Sequence, residues 1–233
     1  MEIVRNTISS VSNTLGESSL VRIMHVKIRD IDARVSEMID TIRDTCWLEG
    51  MESYERVAFE ARMTRTVRKF VNMLSDVEGG MNTSIGEIMI SDTAQKVLVE
   101  NVNHTKIPLA DLIKERVQGN GGFDFHTESN SQLIVYGEAK YSGVSTKYTE
   151  AISQINDFIG DLKDSAELID LKYFVSQEVC DNAVEGRRGY TAAFSMICDN
   201  PNRILSNALN SEQCQSLIGC AELYLIGVEI DVE

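Results

Sequence analysis

The chain has 233 residues, of which 43% are hydrophobic and 25% charged, and its formal net charge is −14. This balance is that of a globular protein with one sizeable core, and it excludes a disordered or low-complexity chain. The negative charge excludes a protein that attracts nucleic acid at long range through its net charge, because that attraction needs a basic surface.

The sequence also predicts the compartment. No stretch approaches 18 consecutive apolar residues, and the start, MEIVRNTISS, lacks the basic and then apolar pattern of a secretory signal. The five cysteines are scattered and form no C-x-x-C pair, which indicates reduced thiols rather than disulfides or a zinc site. We therefore expect a cytoplasmic protein.

The first third of the chain predicts one strand followed by two helices. Alternating apolar residues predict a half-buried strand from Leu20 to Arg29. Helical spacing predicts helices over 32–46 and 54–74. The second helix carries the densest basic cluster in this acidic chain, which indicates a solvated face or, alternatively, a contact with DNA or an acidic partner. Its members are Arg56, Arg62, Arg65, Arg68 and Lys69.

The best boundary signal lies over 76–83, where Gly79 and Gly80 stand together. It predicts an N-terminal lobe over 1–80, available for partner docking, and a main domain over 81–233. One or two helices are expected over 85–101, interrupted or capped around Ser91 and Asp92. A short helical segment over 107–117 follows, and then a glycine-rich loop ending at Gly122.

The rest of the chain predicts strands and helices in alternation. Strands are expected over 122–125 and 133–141, helices over 148–162 and 164–180, and a closing strand over 221–231. Arg187 and Arg188 lie in a glycine-flanked loop, where they are solvent-exposed or contact phosphate. This interleaving predicts an α/β or α+β fold with a mixed sheet.

Asp124 and the triplet Glu138-Ala139-Lys140 are the most informative residues. Alternate side chains of a strand share a face, so Glu138 and Lys140 point the same way and Ala139 points into the fold. If 122–125 and 133–141 form a hairpin, Asp124 lies opposite Glu138. Gly137 predicts a bulge or a tight bend just before the triplet.

This arrangement suits metal-dependent hydrolysis of phosphodiesters. Two carboxylates are hard oxygen ligands of the kind that Mg2+ prefers, and the cation polarises a phosphoryl oxygen and activates water. Lys140 would stabilise the charge that grows in the transition state. The alternative is a cross-strand salt bridge on a solvated sheet face.

At these residues the chain resembles the PD-(D/E)xK nuclease superfamily. Asp124 stands as the first acidic residue, Glu138-Ala139-Lys140 as the (D/E)xK triplet, and Phe123 in the place of the motif's proline. More narrowly, GFDF followed by YGEAKYS resembles the HamA family, the nuclease subunits of Hachiman anti-phage defence systems. The similarity is concentrated over about 107–161.

The resemblance implies that 81–233 contains an α-β-β-β-α-β nuclease core. It also implies a Mg2+ site, with Mn2+ as an alternative, a DNA substrate, and a superfamily-two helicase partner of the HamB type. A carboxylate on the first core helix is implied as well, with Glu87 as the candidate and Glu100 and Glu115 as rivals. The main-chain carbonyl of Ala139 would complete the metal site, and Gln154 would assist or be an ordinary residue on the flank of its helix.

We therefore predict a Mg2+-dependent deoxyribonuclease that acts as the effector of an anti-phage complex. Asp124 and Glu138 would bind the metal, Lys140 would stabilise the transition state, and Glu87 would support the site. His126 is expected at the rim or in contact with the site. Because the chain is acidic, a partner would deliver the DNA. The alternatives are a non-catalytic interaction subunit with a nuclease-like fold and an acidic DNA mimic.

Overall fold

The computed structural model describes residues 1–75, 81–114 and 121–231. In these ranges the strands are β1 (Glu2–Ser12), β2 (Ser18–Ile28), β3 (Thr105–Lys106), β4 (Phe125–Glu128), β5 (Ile134–Lys140), β6 (Gly189–Ser195) and β7 (Glu222–Ile230). The longer helices are α1 (Ile31–Arg43), α2 (Ser53–Ser75), α3 (Thr83–Val102), α5 (Tyr148–Gly160), α8 (Gln177–Val184) and α9 (Pro201–Leu209). Single-turn helices are α4 (Ala110–Ile113), α6 (Lys163–Ala166), α7 (Leu168–Leu171) and α10 (Glu212–Gln215).

The strands form one mixed sheet in the order β1-β2-β7-β6-β5-β4-β3. The central strands β2, β7, β6 and β5 are parallel, whereas β1 at one edge and β4 and β3 at the other pair antiparallel. Helices cover the central strands, so β6 is buried along its whole length. The predicted α/β fold with a mixed sheet is confirmed.

The elements around the EAK strand follow the order that the resemblance implies. α3, β3, β4, β5, α5 and β6 make an α-β-β-β-α-β series, with α4 inserted before β4 and α6 to α8 inserted before β6. The central helix α3 is unbroken, although an interruption at Ser91 and Asp92 was one of the expected outcomes. Asp92 does not cap a helix because its carboxylate is buried in an ion pair with Arg34 of α1.

Besides the two-residue strand β3, two strands are absent from the sequence-based prediction. β1 is an exposed edge strand with few large apolar residues, so it shows little alternation. β6 has the sequence GYTAAFS and is buried on both faces, which removes the alternation by which a half-buried strand is recognised.

The prediction of one helix over 164–180 is wrong, because α6, α7 and α8 divide this segment. The side chain of Asp164 turns inward and accepts a hydrogen bond from Tyr190 at 2.7 Å. Ser176 starts α8 as its N-cap, accepting from the amide of Val179. The inward side chain of Asp164 and the new N-cap at Ser176 thus accompany three short helices in place of one continuous amphipathic helix.

The strand pair that carries the triplet is regular, so the bulge expected at Gly137 is wrong. Phe125 lies opposite Gly137 in an unshifted antiparallel register. A Cβ atom at position 137 would lie 2.3 Å from the Phe125 ring. Gly137 therefore makes room for an aromatic ring on the neighbouring strand, and β4 begins at Phe125 rather than at 122.

Strands from both predicted domains lie in the same sheet. β2, from the predicted lobe over 1–80, pairs with β7, from the predicted domain over 81–233. Residues 76–80, where the boundary was expected, lie outside the described ranges, and the division into two domains stays a prediction. Among the described helices, none has the length and apolar character needed to cross a membrane.

Candidate active site

A cleft of about 1130 Å³ brings together most of the residues that the sequence singles out. Asp124, Glu138, Lys140, Glu87 and Gln154 all line it. Helices α2, α3 and α4 contribute one part of its wall, and β5 and the segment before β4 contribute another. Its other charged lining residues are Arg62, Arg65, Lys69, Asp111, Lys114, Asp161, Lys163, Glu167 and Asp170.

Strand pairing places Asp124 beside the triplet. The amide of Asp124 donates to the carbonyl of Gly137 at 2.9 Å, which continues the β4–β5 ladder by one residue. The amide of Ala139 donates back to Oδ2 of Asp124, also at 2.9 Å. Asp124 is therefore fixed next to the middle of the triplet by two backbone-mediated bonds.

Glu138 and Lys140 share one face of β5, as expected for residues two apart in a strand. Nζ of Lys140 donates to Oε1 of Glu138 at 2.6 Å. Oε1 of Glu87, on α3, lies 3.9 Å from the same Nζ. This pair differs from a solvated cross-strand salt bridge, because both partners are on one strand and Glu138 is only 1% exposed.

Burial and like charge raise the pKa values of both carboxyl groups. Burial, followed by the neighbouring Asp124, raises the pKa of Glu138 well above its ordinary value. Oε2 of Glu138 is buried without a hydrogen-bond partner among the described residues. Asp124 as a whole is half-buried, yet protein surrounds its carboxyl group, and this burial raises its pKa to about 6.

Lys140 stays charged in this setting. Burial alone would lower its pKa, but the ion pair with Glu138 and the charges of Asp124 and Glu87 together raise it. A lysine held in this way is suited to act as a fixed positive charge and unsuited to accept a proton.

Glycine 86 allows α3 to approach the site. A Cβ atom at this position would lie 2.1 Å from the ring of Tyr141, the residue that follows the triplet. The absent side chain lets that ring pack on α3, and the next residue, Glu87, lines the cleft.

Of the rivals of Glu87, Glu100 pairs with Lys96 at 3.2 Å and lines a different cavity. Glu115 lies outside the described residues.

Asp111, on α4, is a carboxylate of the cleft that is absent from the sequence-based prediction. It lines the cleft beside Asp124, and its charge helps to raise the pKa of Asp124. The amide of Ala110, which begins α4, donates to the carbonyl of Asp124 at 3.2 Å. The segment Pro108-Leu109-Ala110-Asp111, an acidic residue in the first turn after a proline, is the only sequence signal that points to it.

His126 neither contacts the site nor lies at the rim of the cleft, contrary to both expectations for it. It is wholly buried, and its Nε2 lies 2.7 Å from Oε2 of Glu167. The other oxygen of Glu167 accepts the amide of Phe123 at 3.0 Å and forms an ion pair with Lys114. Burial would raise the pKa of Glu167, but His126 and Lys114 together lower it. Glu167 thus fixes the backbone one residue before Asp124.

Basic side chains reach the cleft from α2 but not from the loop before β6. Arg62, Arg65 and Lys69 line the cleft. Arg188 forms an ion pair with Asp164, and Arg187 donates to Asn182 at 2.9 Å. The two arginines of the loop are therefore engaged in holding the fold.

The site residues fit a divalent cation. The unpartnered Oε2 of Glu138 and the raised pKa values of both carboxyl groups are features that a bound cation would relieve. Within the described ranges, no three His, Cys, Asp or Glu side chains are grouped so that they could hold a metal ion on their own. Mg2+ is suited to this case, because it is commonly held by one or two carboxylates together with waters and substrate phosphate.

The sequence matches the HamA family over residues 2–186, a span that contains every cleft residue named above. No curated protein and no solved structure matches the chain. The family match covers well over half of the sequence. The chain therefore belongs to the HamA family and is a component of a Hachiman anti-phage defence system.

Proposed function

We propose that this chain is a Mg2+-dependent deoxyribonuclease, the phosphodiester hydrolase of its Hachiman system, with Mn2+ as an alternative metal. One observation carries the proposal: Oε2 of Glu138 is buried without a partner among the described residues, next to a second carboxylate, Asp124. Leaving a buried carboxylate oxygen without a hydrogen-bond partner is costly, so proteins seldom keep such an oxygen without a use for it. A hard divalent cation is the partner that suits it.

Each side chain has a role that its position supports. Asp124 and Glu138 would hold the cation, which polarises the scissile phosphate and lowers the pKa of a bound water. Lys140, whose Nζ is 2.6 Å from Glu138, brings fixed positive charge to the place where negative charge grows. Glu87 approaches the same Nζ to 3.9 Å and would position it.

The net charge of −14 supports dependence on a partner. An acidic protein repels a polyanion at long range, so the free chain would meet DNA slowly. A superfamily-two helicase of the HamB type, in the cytoplasm, would supply the DNA strand to the cleft. An acidic DNA mimic is disfavoured, because six Lys and Arg side chains stand among the carboxylates of the cleft.

The test is cleavage of plasmid DNA with Mg2+ or with EDTA, by the chain alone and with its helicase partner and ATP. We expect cutting with Mg2+ and none with EDTA. The double variant Glu138→Ala/Lys140→Ala should lose cutting by at least about 1000-fold, since it removes a metal ligand and the fixed charge. Binding of Mn2+, measured by calorimetry, should be lost in the same variant.

The matched control is Lys96→Ala/Glu100→Ala. It removes the same two residue types from an ion pair of 3.2 Å that lies away from the cleft. Its cutting should equal that of the wild type. If no arm of the experiment shows cutting, while the folded chain still binds its partner, the interaction-subunit alternative replaces the nuclease.

A further inference from the structure

Helix α2 carries most of the positive charge on one side of the cleft. From Ala61 to its end the helix has four basic residues and no acidic one: Arg62, Arg65, Arg68 and Lys69. Residues three and four positions apart share a helix face, so Arg62, Arg65 and Lys69 form one row. All three line the cleft, whereas Arg68 lines a separate groove beside Arg43.

The row is largely unneutralised. Among the described residues, neither Arg65 nor Lys69 has a carboxylate within salt-bridge distance, and both are exposed. Arg62 is 3.8 Å from Asp170 and lies over the ring of Phe59, with 5.6 Å from its guanidinium carbon to the ring centre. These contacts orient Arg62 at the cleft and leave its side chain 40% exposed.

Among the described residues, Arg65 and Lys69 form no ion pair, although seven carboxylates also line the cleft. Carboxylates were available to pair with them, as the ion pairs of Lys114, Lys140 and Arg188 illustrate. Two unpaired cations and one long ion pair, in a row beside a carboxylate site, leave positive charge available to a polyanion that must lie across that site.

The dimensions of the row also suit a nucleic acid strand. Arg62 and Lys69 are seven residues apart, which corresponds to roughly 10 Å along a helix axis. The phosphates of one strand recur about every 3.4 Å along a duplex axis, so the row spans about three of them. Lys69 also borders the smaller cavity lined by Glu87, Asp111 and Asp124, so the inner end of the row lies next to the carboxylates.

We propose that Arg62, Arg65 and Lys69 form a phosphate-binding wall, which holds the backbone of a nucleic acid strand across Asp124 and Glu138. The proposal rests on the proposed nuclease function and names the substrate-binding part of the same cleft. It reconciles an acidic chain with a polyanionic substrate, because attraction is confined to the place where the strand must lie. A partner protein seated on this wall would instead cover the carboxylates.

The experiment compares two double variants of the full chain. The wall variant is Arg65→Gln/Lys69→Gln, and the control is Arg56→Gln/Arg68→Gln, on other faces of the same helix. Each loses two positive charges. Both are made in a Glu138→Gln background, so that DNA is bound without being cut. Affinity for a fluorescein-labelled single strand is measured by anisotropy over a range of salt concentrations.

The wall variant should bind at least about tenfold more weakly at low salt. The slope of log affinity against log salt is negative, and its magnitude should decrease by about 1.4, for two lost contacts on a single strand. The control variant should keep the slope of its parent. Equal losses in the two variants would overturn the proposal, as would undetectable binding by the parent at low salt. Normal DNA binding by the wall variant, with loss of the protein partner, would also overturn it.

The wild-type chain and the variant Arg65→Gln/Lys69→Gln, both with Glu138 intact, separate this proposal from the nuclease proposal. If the chain with Glu138 intact binds DNA through the wall but never cuts it with Mg2+, the nuclease function fails and the wall stands. If the wild-type chain cuts DNA, and Arg65→Gln/Lys69→Gln with Glu138 intact binds and cuts DNA like the wild type, the wall fails and the nuclease function stands.

Discussion

The carboxylate of Asp124 accepts a hydrogen bond from the backbone amide of Ala139, at 2.9 Å, across the pair of strands that carries the candidate site. This bond joins the acidic residue of the first strand to the middle of the EAK triplet. Because it uses the backbone, it holds Asp124 in register with Glu138 whatever the side-chain rotamer at position 138. The two carboxylates are thus positioned before any cation binds, as pre-organised sites require.

The burial of Asp124 next to a second carboxylate, Glu138, lowers the stability of the fold, and the variant Asp124→Asn should show this. Asparagine keeps an oxygen for the Ala139 amide and removes the buried charge. In EDTA at pH 8, we expect the variant to be more stable than the wild type, by at most about 3 kcal/mol. The measurement is urea unfolding of both proteins at pH 8 and at pH 4.

The sign follows from the pKa of Asp124, which is raised to about 6 from an ordinary value of 3.8. Between these values the folded state binds more protons than the unfolded state, so stability falls as the pH rises through this window. The advantage of asparagine should therefore be fully present at pH 8 and largely lost at pH 4. The exposed substitution Asp157→Asn is the control. A variant less stable than the wild type at pH 8 would contradict the assignment.

Gly137→Ala should destabilise the fold and disturb the site together. The new Cβ atom would lie 2.3 Å from the Phe125 ring, which is wholly buried. Overpacking of this kind costs about 1–3 kcal/mol. Gly160→Ala, where no atom lies within 4 Å, should be tolerated. Thermal unfolding of Gly137→Ala and Gly160→Ala measures the difference. Equal melting temperatures would show that β4 and β5 can move apart to accept the new Cβ atom without a loss of stability.

The parts of the site that the sequence predicts are those linked by short-range rules. Alternation within one strand places Glu138 and Lys140 on one face, and a hairpin of two neighbouring strands brings Asp124 to them. Glu87 was suggested by family resemblance, and the packing of Gly86 on Tyr141 supplies the physical reason for its approach.

The parts that the sequence does not predict depend on contacts between distant segments. Glu167 lies in a segment that was predicted as one continuous helix, but it turns inward to the amide of Phe123, which is 44 residues earlier in the chain. No periodic pattern encodes such a bond. The sequence does not predict β6 for a related reason. Its burial on both faces depends on its place in the sheet and leaves no alternation in its own sequence.

Glu167→Ala should strongly destabilise the protein. It would leave Lys114 buried without its ion-pair partner and leave the amide of Phe123 without an acceptor. Breaking a buried pair in this way costs about 3–5 kcal/mol. Asp170→Ala, which removes a long ion pair of 3.8 Å to a partly exposed arginine, should cost less than about 1 kcal/mol.

The double variant Lys114→Met/Glu167→Ala makes this test sharper. If the unpaired charge of Lys114 causes most of the loss, replacing both partners should restore part of the stability that Glu167→Ala removes. Denaturant unfolding of the single and double variants measures the difference. No restoration would show that the hydrogen bonds of Glu167 to Phe123 and His126 are the larger contribution.

The variants Glu87→Gln and Glu100→Gln should show which of these two carboxylates on α3 supports the site. Glu87 lines the cleft and approaches Lys140 to 3.9 Å, whereas Glu100 lies in a different cavity. We expect Glu87→Gln to lower the rate of DNA cutting by about 10- to 100-fold, as for residues that support metal ligands. Glu100→Gln should cut like the wild type. If Glu100→Gln instead cut DNA more slowly than Glu87→Gln, Glu100 and not Glu87 would be the supporting carboxylate.

The affinity for metal should depend steeply on pH. The raised pKa values of Asp124 and Glu138 mean that, without metal, these groups hold protons at pH values where ordinary carboxyl groups have lost them. A cation must displace those protons, so its apparent affinity should rise with pH, by about tenfold per unit for each proton released. Calorimetric titration with Mn2+ at pH 5.5, 6.5 and 7.5, in buffers of different ionisation enthalpy, measures both the affinity and the number of protons. Asp124→Asn should release fewer protons than the wild type, and a wild-type affinity that is constant over this range would exclude the two carboxylates as the ligands.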